Sequence, residues 1–277
     1  EGSVYWLNFK PESDEALQAI AAEYTELTGV EVKVVTAASG TYNETLTAEM
    51  DKSSAPTMFV VGNKASVDTW ADYCYDLTGT AVAEELNTDA YNLYTSDGKL
   101  ASIGYCYECF GIITNVELLE AAGHSLDEIT NFETLKAVAD DIHARAEELG
   151  FDAFTSSGMD DSSSWRFSGH LANLDLFYES RDAGGWDETP AEITGAYLDN
   201  FKNLWDLYTT DTATDIATLA TGGFDAEAEF GTGKAVFYQN GNWEYAALTD
   251  TYGMDPEKLA MIPFYGGVEG EEEAGLN

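Results

Sequence analysis

Strand and helix alternate through residues 4–61, and that order restricts the fold more than any other feature of the chain. Val4-Tyr5-Trp6-Leu7-Asn8-Phe9 reads as a strand, and Pro11 suits the first turn of a helix. Leu17, Ile20, Tyr24 and Leu27 then recur on one helical face, with Gly29 to end it. Val30, Val32, Val34 and Val35 form a second strand. Gly40-Thr41-Tyr42 turns into a second helix through Leu46 and Met50, and Pro56 precedes a third strand at Met58-Phe59-Val60-Val61. A β-α-β-α-β order predicts an α/β fold, because parallel strands need crossovers that lay helices on the sheet.

The remainder continues in kind. Asp97-Gly98 is a tight turn, with extended runs at Leu100–Tyr105 and Phe110–Thr114. Asn115 and Asn131 are helix caps, the second opening a helix with Phe132, Leu135, Val138, Ile142 and Leu149 on its apolar face. Phe151–Phe154 is a brief strand, followed by a Ser-rich loop from Thr155 to Ser164. Ile193, Tyr197, Phe201, Leu204 and Tyr208 mark a long amphipathic helix, and another helix is expected from about Trp243. Leu259–Ile262 is a last strand, stopped by Pro263. With no internal repeat and no low-complexity tether, the two α/β units read as joined by strand-like crossings, which serve as hinges.

Composition narrows the function. Against 51 acidic residues stand only 12 lysines and arginines, a net charge of −39. That excludes nucleic acid, whose phosphates need a Lys/Arg surface, and docking on an anionic membrane face. No stretch approaches the about 20 apolar residues of a membrane span. A chain already in strand at Val4 reads as a mature form, and the terminus Glu271–Asn277 reads as one that continues. Cys106 and Cys109 have the spacing of half a zinc site, but a structural zinc wants four ligands and His124, His143 and His170 are not at ligand spacing. A disulfide from Cys74 to either of the pair, or three inert thiols, are both open. No cofactor is expected.

Glu229–Trp243 carries most of the functional information. It reads as a helix end, a glycine turn, a buried strand at Ala235–Tyr238, and a turn ending on Trp243. Ligands of open α/β sheets sit beyond the carboxyl ends of strands. A tryptophan there is either a stacking shelf for a flat, partly apolar ligand or an ordinary core residue.

Six segments, taken in order, resemble the extracellular solute-binding proteins of ABC importers, of the carbohydrate-type, maltose-binding-protein-like group. They are Thr28-Gly29-Val30-Glu31-Val32; Ser54-Ala55-Pro56-Thr57-Met58-Phe59, with Thr57 where that family usually has Asp; Asp97-Gly98-Lys99-Leu100-Ala101-Ser102-Ile103; Phe110–Leu119; Phe230–Trp243; and Met261–Gly267. The resemblance implies a hinged, two-lobe periplasmic-binding-protein-like fold (type II) with a ligand cleft between lobes. It places residues 1–111 plus about 259–277 in an amino-terminal lobe and about 112–258 in a carboxyl-terminal lobe, which is incomplete because family members carry a further helical stretch. It also implies a monomer on the extracellular face of a bacterial membrane or in the periplasm. Membrane contact is then only through a lipid anchor or the permease subunits that are its partners.

Sugar binding needs planar polar side chains for hydroxyls and aromatic platforms for ring faces, placed just past strand ends. The candidates are Trp243 as the stacking ring; Asn242 as a hydroxyl partner or a turn residue; Trp165 and Arg166 after the polar loop, the arginine binding hydroxyls or a carboxylate, or simply pairing with an acid; Tyr42, either ligand contact or helix–sheet core; Asn63, either ligand contact or helix cap; Tyr107 and Glu108 before the hinge strand; and Asn8 and Lys10 after the first strand.

The leading expectation is a sugar or oligosaccharide receptor, not an enzyme. An alternative keeps the fold and binds a polyamine or other cationic solute, held by carboxylates and aromatic cages. A glycan-acting enzyme is the third reading; it would need two carboxylates about 5–10 Å apart, and with 51 acids a chance pair is expected. Titration calorimetry is expected to give heat with neutral oligosaccharides and none with spermidine, and incubation with a glycan is expected to release no product. The opposite pattern in either experiment would displace the leading reading.

Overall fold

The computed structural model describes residues 2–160, 163–186 and 190–273. The chain divides into two compact units, Glu1–Tyr107 and Glu108–Asn277.

In the first unit β1 (Val4–Asn8) and β2 (Val32–Thr36) pair in parallel, with Trp6 opposite Val34. Helix α1 (Asp14–Thr28) makes the crossover and ends at Gly29, whose φ of 74° is a left-handed conformation that only glycine adopts cheaply. The face of α1 that meets β2 is not the expected one. Gln18 Nε2 donates to the Val34 carbonyl (3.3 Å), Thr25 Oγ1 accepts from the Val32 N–H (3.2 Å), and Ala21 between them is buried. Gln18, Ala21 and Thr25 form one stripe at helical spacing, so Ile20, Tyr24 and Leu27 fall on the other side and are exposed, Leu27 at 76%. Small and hydrogen-bonding residues let the helix approach the strand closely, and that outweighs the larger apolar stripe.

Helix α2 (Tyr42–Met50) follows, and the third strand is reduced to a single parallel bridge between Trp6 and Met58. Leu7 N–H donates to the Met58 carbonyl and Met58 N–H to the Tyr5 carbonyl. Beyond that bridge the Tyr42 hydroxyl takes over, donating to the Leu7 carbonyl (3.2 Å) and accepting from the Val60 N–H (2.7 Å). Leu7, Ala37, Tyr42 and Leu46 form the local core, with Phe59 and Trp70 packed against it. The unit is completed by α3 (Lys64–Trp70), the single turn α4 (Ala81–Glu84), and a hairpin of β3 (Leu93–Tyr94) and β4 (Leu100–Ser102) about Asp97-Gly98.

The second unit contains β5 (Phe110–Asn115), α5 (Val116–Ala121), α6 (Phe132–Ala144), α7 (Ala146–Leu149) and β6 (Asp152–Thr155). A π-helical stretch over Arg166–Leu171 runs into α8 (Ala172–Asp182). Then come α9 (Leu198–Thr210), α10 (Ile216–Leu219), α11 (Ala226–Gly231), β7 (Ala235–Gly241) and β8 (Leu259–Ile262). Asn115 and Asn131 cap α5 and α6 as expected, and the buried Glu271 carboxylate also accepts from the Phe132 N–H (2.8 Å). Ile193 and Tyr197 precede α9, and Ile193 is exposed. In place of a regular helix from Trp243 there is a 3-10 turn at Asn242–Glu244 and a π-helical turn at Ala247–Thr251.

The strand order is β6-β7-β5-β8, with β6 parallel to β7 and β5 antiparallel to both its neighbours. Pairing of Asn115 with Leu259 and Ile112 with Ile262 puts β8 in this sheet. Residues from 259 on therefore cluster with the second unit, where the sequence-based grouping set them with the first; residues 274–277 of that range lie outside the described residues. The reason is backbone pairing. β5 is a central strand whose second edge needs a partner, and β8 supplies it. Every residue of β7 is buried, and the core about it is built from Ile112, Leu135, Ile142, Phe154, Leu204, Tyr208, Val236 and Phe237. Truncating one such aromatic residue in a packed core costs about 3–5 kcal/mol.

Tyr42→Phe removes one hydroxyl that bonds both β1, at Leu7, and the segment after Met58, at Val60. It is expected to lower the free energy of unfolding by about 1–3 kcal/mol, measured by urea denaturation. An unchanged midpoint and slope would show that the hydroxyl does not brace β1 against that segment.

Candidate functional site

The carboxyl ends of β6 and β7 point the same way because the two strands are parallel, and the register of Phe110 opposite Gly241 brings the start of β5 to that same end. Asn242 locks the corner. Its N–H donates to the Cys109 carbonyl (3.0 Å), and its side-chain Oδ1 accepts from the Cys109 N–H (3.2 Å). This extends the ladder one residue past β7 and fixes the direction in which the next residue, Trp243, leaves the sheet.

Gly241 makes room for the indole. A Cβ there would stand 2.1 Å from the Trp243 ring, so the side chain folds back over a position that must lack one. Four rings gather at this end. Trp243 lies 6.1 Å from Trp165 and 5.7 Å from His170, Trp165 meets His170 edge-on at 4.9 Å, and Phe110 stacks flat on His170 at 3.9 Å. Both indoles are part-exposed, whereas His170 is buried. The π-helical stretch is what lets Trp165 and His170 face the same way, since residues five apart diverge by most of a right angle more on a regular helix than on one with i→i+5 bonding.

Beneath the rings lies a polar layer. Gln239 Nε2 donates to His170 Nδ1 (2.9 Å), which leaves the imidazole proton on Nε2, and its 3.4 Å contact to the Arg166 carbonyl orients the amide the same way. Burial, with Arg166 nearby, pushes His170 down to about 4, so the ring is neutral at neutral pH. The Arg166 guanidinium lies over the Trp165 ring, 4.3 Å from its centroid, and 4.0 Å from Glu244 Oε1. Glu244 is only 7% exposed, and its other oxygen accepts from the Tyr238 hydroxyl (3.3 Å), which in turn accepts from Asn240 Nδ2 (2.6 Å). Burial first, and Glu227 second, raise Glu244 to about 7. Arg166 Nε, Gln239 Oε1 and the Ser156 and Ser157 hydroxyls just past β6 are buried with no hydrogen-bond partner among the described residues.

Of the residues picked from sequence, Trp165, Arg166, Asn242 and Trp243 are therefore brought together at one end of one sheet. Glu108, exposed, directly precedes the Cys109 that Asn242 grips. Asn242 gives its side-chain oxygen to the backbone, the turn role weighed for it. In the first unit Asn8 is buried, its amide donating to the Lys10 carbonyl (2.6 Å) and to Thr36 Oγ1 (3.0 Å) while its oxygen accepts from the Lys10 N–H. Lys10 lies over Phe9 and 3.8 Å from Glu12. Tyr42 uses its hydroxyl as the strand brace, and Asn63 caps α3 by accepting from the Ser66 N–H (2.9 Å). Tyr107 is 78% exposed and stacks on Tyr91 at 6.0 Å. All three cysteines are free thiols.

Sequence reasoning passed over His170, Gln239 and Glu244. His170 read as a lone histidine at no ligand spacing, and Glu244 as one acid among 51. The one signal in reach was position: Gln239 shortly precedes Trp243 in the chain, and Glu244 is the residue after it.

Residues 19–270 match the family described as bacterial extracellular solute-binding protein. No curated protein sequence matches. Among solved structures, RafE of Streptococcus pneumoniae in complex with raffinose is similar at a TM-score of 0.75 and 18% identity, over 97% of this chain and 69% of that one. The GacH receptor of Streptomyces glaucescens, solved unliganded and with acarbose, has a TM-score of 0.71 and 21% identity, over 98% and 69%. A protein from xylan utilization in Caldanaerobius polysaccharolyticus has 0.70 and 18%, over 98% and 70%. At such identities the likeness is one of fold, the two-lobe α/β architecture of solute-binding proteins. The match over most of its length settles the matter of kinship: the chain belongs to the bacterial extracellular solute-binding protein family.

Proposed function

We propose that the chain is the receptor of an ABC importer for a sugar or oligosaccharide, delivering it unchanged to the permease subunits. The observation that carries this reading is the aromatic floor at the carboxyl end of β7: two part-exposed indoles 6.1 Å apart, gathered about the buried His170. Sugar rings have an apolar face, which stacks on an indole, and a rim of hydroxyls, which must be paired when water is removed. Ser156 and Ser157, just past β6, and Gln239, on β7, carry hydroxyl and amide groups of the kind that such a rim needs. The similar structures bound to raffinose and acarbose agree with this class of cargo.

The floor also bears on the polyamine reading. Arg166 already lies against a face of Trp165, the position a cation would take, and its charge repels a second cation. A net charge of −39 then serves solubility rather than capture. The same reading places the protein as a monomer on the extracellular face of the membrane, held by a lipid anchor or by the permease. An affinity near micromolar, about −8 kcal/mol, suffices to capture cargo and release it.

A glycan array identifies the sugar, and calorimetry with the best-bound glycan then tests the site. Trp243→Ala is expected to weaken binding at least tenfold, about 1.4 kcal/mol, with the far-ultraviolet circular dichroism unchanged; equal affinity would remove Trp243 from the site. Gly241→Ala is expected to weaken the same glycan by a similar factor, because the added methyl evicts the indole from its seat. Full affinity in that variant would mean that the ring's placement is not what matters.

A further inference from the structure

Beside the rings a buried carboxylate, Glu244, is met by one part-buried guanidinium, Arg166, and by a second, part-buried acid, Glu227. Arg166 stands between the π face of Trp165 (4.3 Å) and Glu244 (4.0 Å). Glu244 is reached from every element around it: Arg166 from the π-helical stretch, Tyr238 from β7, and Glu227 from α11. Tyr252, past the Ala247–Thr251 turn, feels Glu227, Asp225 and Glu244. Glu244 therefore has one cation and one second acid as neighbours in a buried position, and burial with a like charge nearby favours keeping a proton on it.

The geometry points to Glu244 as a positioning residue for the binding floor: its charge fixes where Arg166 lies against Trp165, and so sets the alignment of Trp165 with Trp243. This rests on the sugar-receptor reading for its biological use, though not for its physics. Ionised Glu244 anchors the guanidinium and keeps Trp165 backed. Protonated Glu244 keeps its hydrogen bond with Tyr238 but releases Arg166, and the floor loosens. With Glu244 raised to about 7, the change falls between pH 6 and 8, whereas His170, lowered to about 4, stays neutral throughout that range. For stability the sign is the reverse of the usual carboxylate. The folded form holds the proton more tightly than the unfolded one, so this group favours folding below the ordinary glutamate range and progressively less as pH rises to about 7. The protein thus gives up stability to hold a charged anchor under its site.

The test needs no ligand. Tryptophan fluorescence of the unliganded protein is followed from pH 5 to pH 9. The wild type is expected to show a single step with a midpoint near 7, which Glu244→Gln abolishes and Trp243→Phe reduces by at least half. Arg166→Gln is expected to move the midpoint upward, because the arginine favours the ionised acid. Asp175, also raised to about 7 by burial, lies on α8, and Asp175→Asn is the control expected to keep the step. A wild type with no step, or a step that survives in Glu244→Gln, would overturn the inference. A glycan array read at pH 5.5 and pH 8.5 carries it to the ligand. Signal at least threefold stronger at pH 8.5 in the wild type and equal at both in Glu244→Gln is expected, and the same ratio in both proteins would also overturn it. An array with no bound glycan at either pH would instead count against the carbohydrate reading and leave the fluorescence result to stand by itself.

Discussion

β5 runs antiparallel between β7 and β8, and its entry is hydrogen-bonded to the turn that carries Trp243. Everything at the site follows from that pairing. Because Phe110 is opposite Gly241, its ring reaches His170. The reciprocal bonds of Cys109 and Asn242 hold the corner, and the chain must therefore leave β7 in one direction. A strand end that frayed by a residue would carry the indole away from Trp165. Buried backbone pairing is costly to break, so the turn that carries Trp243 is held by a fully buried central strand.

The acidity of the chain acts differently at the surface and in the interior. Few of the carboxylates among the described residues are buried; the rest lie at or near the surface. A few are buried and have structural work. Glu271 accepts from three backbone N–H groups, those of Phe132, Gly267 and Val268, tying the start of α6 to the segment after β8. Glu179 accepts from Thr194 and Ala196 in the same manner. Glu244 differs in its neighbours: a guanidinium, a tyrosine hydroxyl and a second acid surround it in place of backbone amides.

Much of this was legible in the residues. Caps at Asn115 and Asn131, the stop at Gly29, the strands at Val4, Val32, Phe110, Asp152, Ala235 and Leu259, and the exit of Trp243 from a strand end all follow from local chemistry. Where the structure departs from expectation, two local rules competed and tertiary contact chose between them. For α1 the larger apolar stripe of Ile20, Tyr24 and Leu27 lost to the smaller Gln18-Ala21-Thr25 face, because hydrogen bonds to β2 demand close approach. Tyr42 and Asn63 take the core and cap roles weighed for them beside ligand contact, and Asn8 too has a backbone partner.

By itself the sequence determined the alternation of elements, the family pattern and the aromatic residue at the end of β7, since each depends on neighbours in the chain. Only the tertiary structure decided that β8 closes the second sheet and that His170 lies flat on Phe110. It alone placed one arginine between an indole and a buried acid. Those facts join residues far apart in the chain. Strand pairing and burial, which no local spacing encodes, bring them within reach and shift their charges.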